Sequence, residues 1–408
     1  MNIIYIAYSC SPYHGSEDKI GWNIPLISSK TNKVFVITKE EQREHIEKYL
    51  SENRLENISF FYADIPKMYK KIFKGFLFSG RLNIWHRRAV KIAEKICRDA
   101  KIDIIHQVAP VEFRSIGNYS KIPSVKFVCG PIGGGQTVPK ELKSYTKSHT
   151  LIEFIRATIN NLYRFIYKLN GRLSKCDRVI FANRETKEYL GALVSNSADC
   201  DVITDIAIDK TDITRTIPKK QSVKCRFLVA GRLVYLKGHQ FLFDALERIP
   251  QELDYECRIV GSGEEYERLK KRCDESKQLK KVVFCGAVPY SEMAKEYENA
   301  DLLVMPSFRE ATGSVILEAM AKGLPIVTIN KFGGATILDE DTAWLYDGKS
   351  REEYIENLKN ALVSCITSPE DVLRRGENAQ RYAEKYVWEK KMEYYQSIYE
   401  SVIARSEH

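Results

Sequence analysis

The sequence has no uncharged apolar run of the ~18 residues that a bilayer-spanning helix requires, so it offers no candidate for one. Its first residues, MNIIYIAYSC, lack a basic stretch and a small-residue cleavage site. They read as a first strand, not a secretory leader. The ten cysteines form no CxxC pair and no zinc-like spacing, which argues against a metal knuckle or a disulfide framework. Cys129, Cys257 and Cys285 lie inside apolar runs and read as reduced core residues of a cytosolic protein. Low-complexity tracts and short-period repeats are also missing, which excludes a solenoid. With 44% hydrophobic and 29% charged residues, the chain is globular rather than disordered.

Short β-branched runs alternate with amphipathic helical patterns, the signature of α/β units with parallel sheets. In the first half the strand candidates are IIYIAY, KVFVIT, ISFFYA, IDIIHQVA, SVKFVCG, RVIFANR and CDVITD. In the second they are RFLVAG, YECRIVG, KVVFCGA, DLLVMP, LPIVTI and AWLY. Ser291 and Ser350 precede helical patterns and are candidate helix caps, Ser350 with Glu353 as a capping box. The polar stretch 209–224, with Pro218, reads as an interdomain linker. The expected organisation is an N-terminal Rossmann-like domain at 1–208, the linker, a second Rossmann-like domain at 225–385, and a C-terminal helical stretch at 386–408 long enough to return to the first domain. The net charge of +9 is uneven: residues 1–208 carry about +11 and the remainder about −2, which suits an acidic partner for the first half.

The chemistry concentrates in FREATGSVILEAMAKGLP, residues 308–325. VMPS ends a strand, Gly313 and Ser314 permit a tight turn, and SVILEAMA reads as a helix closed by Gly323 and Pro325. Such a turn points free N–H groups and a positive dipole end at an anion. Glu310 and Glu318 bracket it. Carboxylates repel phosphate but accept hydrogen bonds from hydroxyls, so two of them around an anion site suit a diphosphate with hydroxyls at both ends, as in a nucleotide sugar. The alternative is a loop-capping Glu310 and a solvated Glu318. GRLVYLKGHQ, residues 231–240, follows the strand RFLVAG and supplies Arg232 and Lys237 at a sheet's C-terminal edge, where two cations stabilise a departing diphosphate; the alternative is an exposed basic loop.

Glu310 and Glu318 with seven residues between them, followed by AMAKGLPIV, resemble the EX7E signature of family 4 retaining glycosyltransferases (glycosyl transferases group 1). GRLVYLKG, IVGSGEEYERLK and VVFCGAVPYSEMAKEYENADLLVMPS resemble further segments of that family in the same order, covering essentially the whole second half. In the first half SPYHGSEDKIGWN and VKFVCGPIGGG resemble the GSE and GPxGGG segments of one subgroup. The resemblance implies the GT-B fold: two Rossmann-like domains facing a central cleft, with the C-terminal helix crossing back. It implies that Arg232 and Lys237 hold the donor diphosphate, that Glu310 contacts the transferred sugar, and that backbone near Gly313, Ser314 and Val315 supports sugar and phosphate. It further implies that Glu318 holds the ribose, that Gly261, Gly286 and Val288 lie by the base and ribose, and that Gly15 and Ser16 close over the phosphates. It implies retention at the anomeric carbon and neither metal nor other cofactor.

The chain departs from the family pattern at two points. Cys129-Gly130-Pro131 replaces a histidine that approaches the sugar in many relatives, and ITDIAID replaces a proline-asparagine-glycine turn before the linker. His106, in IDIIHQVAP, is a candidate for the missing acceptor-side role alongside Gly133 and Gly134; its alternative is a hydrogen-bonded core histidine.

Asp339-Glu340-Asp341 and Asp199-Cys200-Asp201 match a DxD pattern, but no further hard-oxygen ligands cluster with them. The triple glycine 133–135 lacks the spacing and the acidic partner of a dinucleotide site. Segments 67–95 and 151–175 interleave Lys and Arg with apolar and aromatic residues, a pattern of an anionic membrane surface or of ordinary packed helices. No nucleic-acid module accompanies the charge. The expected function is transfer of a UDP- or GDP-sugar to a carbohydrate acceptor, favouring a lipid-linked intermediate of surface polysaccharide or lipopolysaccharide, in the cytoplasm or at the inner face of the cell membrane. The rivals are a non-catalytic nucleotide-sugar scaffold and a nucleotide-sugar epimerase.

Overall fold

The structure is a computed structural model that describes residues 1–13, 15, 17–73, 75–195, 199–214 and 224–405. The chain divides into two compact units. The first comprises Met1–Gln136, Ile152–Ala207 and Trp388–His408; the second comprises Thr137–Leu151 and Ile208–Val387. The segment 137–151, which the sequence places within the first half, therefore folds with the second unit. Of the linker read at 209–224, Lys210–Asp212 form a 3-10 turn capped by Asp209, and 215–223 lie outside the described residues.

The first unit is built on a seven-stranded sheet of β1 (Asn2–Ala7), β2 (Lys33–Lys39), β3 (Ile58–Ala63), β4 (Ile104–Ala109), β5 (Lys126–Ile132), β6 (Arg178–Phe181) and β7 (Cys200–Val202). The order is β3-β2-β1-β4-β5-β6-β7, and every pair is parallel. The second unit has a six-stranded sheet of β8 (Cys225–Ala230), β9 (Tyr255–Val260), β10 (Val282–Gly286), β11 (Leu302–Met305), β12 (Ile326–Ile329) and β13 (Ala343–Tyr346). Its order is β10-β9-β8-β11-β12-β13, again parallel. All thirteen strand segments read from the β-branched runs are present. Parallel strands buried on both faces need such continuous apolar runs, and helices cover both faces.

In each sheet the strand order reverses at one place, between β1 and β4 and between β8 and β11. Ligands of doubly wound sheets settle outside the strand ends at such reversals. The C-terminal stretch forms two helices, Pro369–Ala383 and Trp388–Ala404. The second belongs to the first unit, where Met392, Tyr395, Tyr399 and Val402 join the core of Ile3, Tyr5, Ile104 and Val108. Ser350 caps its helix, its hydroxyl accepting the Glu353 N–H at 3.1 Å, but Glu353 Oε2 accepts the Lys349 N–H at 2.9 Å and not the Ser350 N–H that the expected capping box would use. Ser291 does not cap: it sits inside a 3-10 turn, Tyr290–Glu292, that leads into the helix Met293–Asn299, whose N-cap position is Glu292. All ten cysteines are free thiols.

The helix Thr150–Asn170 inverts the usual amphipathic rule. The side facing the first unit carries polar heads. Arg156 and Asn160 donate to the Gly134 carbonyl at 2.8 and 3.2 Å, and the Tyr163 and Tyr167 hydroxyls accept from Asn83 at 3.3 Å and the Ile116 N–H at 3.2 Å. Its opposite side is a stripe of exposed Phe154, Leu162, Phe165 and Leu169.

Candidate functional site

The second unit's site begins with the turn after β8. Gly238, at φ +71°, closes the 3-10 turn Tyr235–Lys237 and starts the helix His239–Leu246. A Cβ on Gly238 would come within 2.0 Å of the Pro306 carbonyl oxygen, so only glycine lets the β8 turn lie against the chain leaving β11. The Phe308 N–H donates to the Leu236 carbonyl at 2.8 Å and ties the same segments. This close approach brings Lys237 to Glu310: the ammonium donates to Glu310 Oε2, with both side chains about one-fifth exposed. Two residues widely separated in sequence thus meet at the strand-order reversal.

Arg232, on the same turn after β8, is exposed and its guanidinium has no ion-pair or hydrogen-bond partner among the described residues. Gly313, at φ +81°, is the N-cap of the helix Ser314–Ala321, and its Cα position lies against the Glu310 side chain. The first-turn N–H groups of such a helix have no partner within it, and they carry its positive dipole end. Glu318 lies one turn further on, where Oε2 accepts the Tyr297 hydroxyl at 2.7 Å. Burial, with the adjacent Glu318 carboxylate adding to it, holds the Tyr297 phenol well above its ordinary range. Tyr297 is a partner that the sequence analysis did not single out. Its signal lay in SEMAKEYENA, whose helical spacing turns Tyr297 inward.

Gly261 and Gly286 fall in one array with Gly231 at the ends of β9, β10 and β8. The Gly261 N–H donates to the Gly286 carbonyl at 2.8 Å, and the Gly231 N–H donates to the Val260 carbonyl at 3.0 Å. A Cβ on Gly261 would stand 1.9 Å from the Gly231 carbonyl oxygen, whereas one on Gly286 would meet nothing within 4 Å. Gly261 is therefore needed for packing the strand ends. Val288 follows Gly286 and is half-buried.

The candidates in the first unit have a different character. His106 is fully buried; Nδ1 pairs with the Tyr399 hydroxyl at 2.6 Å and Nε2 with the Gly130 carbonyl at 2.7 Å. Both ring nitrogens are occupied, and burial lowers its pKa to about 3, so this is the core-histidine alternative and not a group reaching an acceptor. Gly133 and Gly134 form a closed loop. The Gly133 N–H donates to the Val111 carbonyl at 2.6 Å, and the Gly134 N–H to Gln136 Oε1 at 2.8 Å. Gly15 is exposed with open space around its Cα, and Ser16 lies outside the described residues.

The DxD matches serve structure. Asp201 is paired with Arg178 at 2.6 Å, Asp199 takes Arg405, and Asp339 accepts the Thr342 hydroxyl at 3.0 Å. Among the described residues no group of three or more His, Cys, Asp or Glu could hold a metal ion.

Comparison with known proteins shows what the chain is similar to. The whole chain superposes on solved glycosyltransferases of the GT-B fold. A lipopolysaccharide outer core galactosyltransferase, WaaB, matches with a TM-score of 0.66 and 15% identity over 100% of both chains. The Anabaena protein HepE, solved in complex with UDP-glucose, matches with a TM-score of 0.59 and 16% identity over 97% of this chain and 99% of that one. The fold is therefore α/β GT-B. Residues 211–382, all within the second unit, match the family described as glycosyl transferases group 1. An uncharacterised glycosyltransferase of Methanocaldococcus jannaschii is 34% identical over 140 residues, 34% of this chain and 36% of that protein. The matched stretch spans 36% to 43% of the length of the first curated relatives.

Proposed function

We propose that the protein is a retaining glycosyltransferase, similar to family 4, that moves a sugar from a nucleotide donor, UDP- or GDP-linked, to a carbohydrate acceptor without a metal. The observation that carries this reading is the meeting of Lys237 with Glu310, next to Gly313 at the start of the helix Ser314–Ala321. Lys237 and the helix start beside Glu310 suit a diphosphate, and Arg232, exposed on the same turn as Lys237, is the second cation of this reading. Glu310 and Glu318 flank the helix start, and carboxylates there accept sugar and ribose hydroxyls. Without donor, Lys237 neutralises Glu310. With donor, the ammonium turns to phosphate oxygen and the carboxylate to a sugar hydroxyl.

In the step itself the bond from the anomeric carbon to the diphosphate oxygen breaks, and the electron pair leaves with the nucleoside diphosphate. The acceptor oxygen bonds to that carbon on the same face, and its proton passes to the departing diphosphate. Arg232 and Lys237 stabilise the charge that develops there, by preorganised electrostatics. The likeness to HepE, whose crystal form carries UDP-glucose, supports a UDP-sugar as the first donor to try.

A lipid-linked acceptor at an anionic membrane face is the preferred partner. No helix among the described residues is long and apolar enough to cross a membrane. The helix Thr150–Asn170 instead offers an outward apolar stripe, with Lys168 exposed on it, and Arg87 and Arg88 exposed on the helix Phe78–Asp99 that neighbours it through Asn83 and Tyr163. Lys70 is a poor contributor because Glu41 at 2.8 Å and Asp64 at 2.7 Å already hold it. Flotation on anionic vesicles should fall for a Phe154→Ser, Phe165→Ser, Leu169→Ser variant; unchanged flotation discards the membrane partner.

A thermal-shift panel of nucleoside diphosphates and their sugars tests the donor reading, since binding to the native state raises the melting point. The expected result is a shift with UDP or GDP and their sugars. Release of nucleoside diphosphate coupled to an acceptor product separates transfer from epimerisation and from a binding scaffold. Full turnover by Glu310→Ala would refute the assigned role of that carboxylate.

A further inference from the structure

We propose that Thr137–Leu151 is a positioning arm for the donor turn, and that Tyr145 and His149 act through Lys237 and Glu310. The proposal rests on the reading of the second unit as the donor site. The arm's own anchorage is apolar: Val138 and Leu142 are buried in the second unit's core with Phe241 and Phe308. Anchorage alone would need no more than these. Tyr145 and His149 instead set flat rings against the two segments that bear the charge pair.

The His149 ring lies on the Tyr235 ring at 3.8 Å between centroids and 5° between planes. Tyr235 opens the turn that ends in Lys237. The Tyr145 ring stacks on Phe308 at 5.5 Å and 30°, and meets Phe241 edge-on at 5.7 Å. Phe308 lies two residues before Glu310. One arm therefore buttresses both partners of the pair, and the Phe308 N–H bond to the Leu236 carbonyl links the two buttressed segments.

The Tyr145 hydroxyl fixes the ring's angle. It donates to Asp244 and accepts from Arg351 Nε at 3.1 Å. Asp244 is in turn held by Arg272 at 2.6 Å and Arg351 at 2.8 Å, so the hydroxyl sits in a charged clasp that cannot turn freely. A displacement of about 1 Å in a charged group at a reacting centre costs on the order of a hundredfold in rate, which gives such a clasp a use beyond stability.

Hydrogen exchange on the ligand-free chain tests the arm without needing a donor. In His149→Ala and Tyr145→Ala, the amides of 232–238 and 308–314 should exchange about tenfold faster or more, with the rest of the unit unchanged. His149→Phe, which keeps the stack, should restore the wild-type rates. Donor kinetics then follow: kcat/KM for the sugar nucleotide should fall about tenfold or more in the Ala variants, with KM for the acceptor unmoved and Tyr145→Phe intermediate. Unchanged exchange in those segments, or exchange raised evenly through the unit, overturns the arm. If the wild type binds neither UDP nor GDP nor their sugars, the donor reading fails while the exchange data still decide the arm.

Discussion

Both units end their central parallel strands in tight turns, yet they fill those turns with opposite chemistry. In the second unit the reversal between β8 and β11 carries Arg232, Lys237 and Glu310, half-buried or exposed, with a helix start beside them. In the first unit His106, on β4, is locked between Tyr399 and Gly130, and the triple-glycine loop spends its amides on Val111, Gln136 and Thr186. The same fold plan therefore yields one strand-end region that the proposed reading gives to an anion and another in which His106 and the triple-glycine amides are satisfied internally. A buried polar group with its bonds made is a structural asset, whereas a charged group with a replaceable partner is available for chemistry.

The sharpest way to break this contrast is Lys237→Met. It should lower kcat by about 10²- to 10³-fold, the usual cost of removing one preorganised charge from a transition state. A steady-state assay with the best donor reads it, and an unaffected kcat would place the chemistry elsewhere. Next, Gly261→Ala should destabilise by about 3 kcal/mol in urea melts, since φ is +145° and the Gly231 carbonyl blocks the new methyl. Gly286→Ala, with φ +73° and open space, should cost only about 1 kcal/mol. Equal losses would contradict the packing role given to Gly261.

His106→Gln probes the sealed side. It should cost about 1–3 kcal/mol of stability through its broken bonds while leaving KM for both substrates in place. A raised acceptor KM at unchanged stability would return His106 to the site. The smallest effect concerns Glu17. Its carboxylate accepts the Val111 N–H at 3.1 Å, and burial, which outweighs that bond, raises its pKa to about 7; the nearby Asp205, Glu112 and Asp18 also push it upward. The native state then holds a proton that the unfolded chain releases between its ordinary 4.5 and 7, so this group's contribution is full at low pH and fades as pH rises through 7. Glu17→Gln should raise Tm at pH 8 and leave it nearly unchanged at pH 4; equal shifts at both would rule out the buried acid.

The strand segments were legible because fully buried parallel strands demand β-branched runs, and all thirteen stood out. The charge pair was legible as two motifs, but its contact was not, since it depends on Gly238 meeting the Pro306 carbonyl across a sequence gap. His106 could not be resolved from sequence because a histidine at a strand carries the same letters whether satisfied or free. Tyr399, arriving from the C-terminal helix, and the Gly130 carbonyl decide it. The arm was misplaced for a related reason: its apolar residues fit either core, and Phe241 and Phe308 lie far away in sequence. Ser291 failed as a cap because a 3-10 turn took its place.

The most direct measurement is a crystal structure of the protein soaked with UDP or GDP. The account predicts the diphosphate at the turn of 310–315, its oxygens within hydrogen-bonding distance of Arg232, Lys237 and the Ser314 and Val315 amides, with the ribose on Glu318 and Lys237 released from Glu310. A diphosphate bound away from this turn, with the Lys237–Glu310 pair intact, would contradict it.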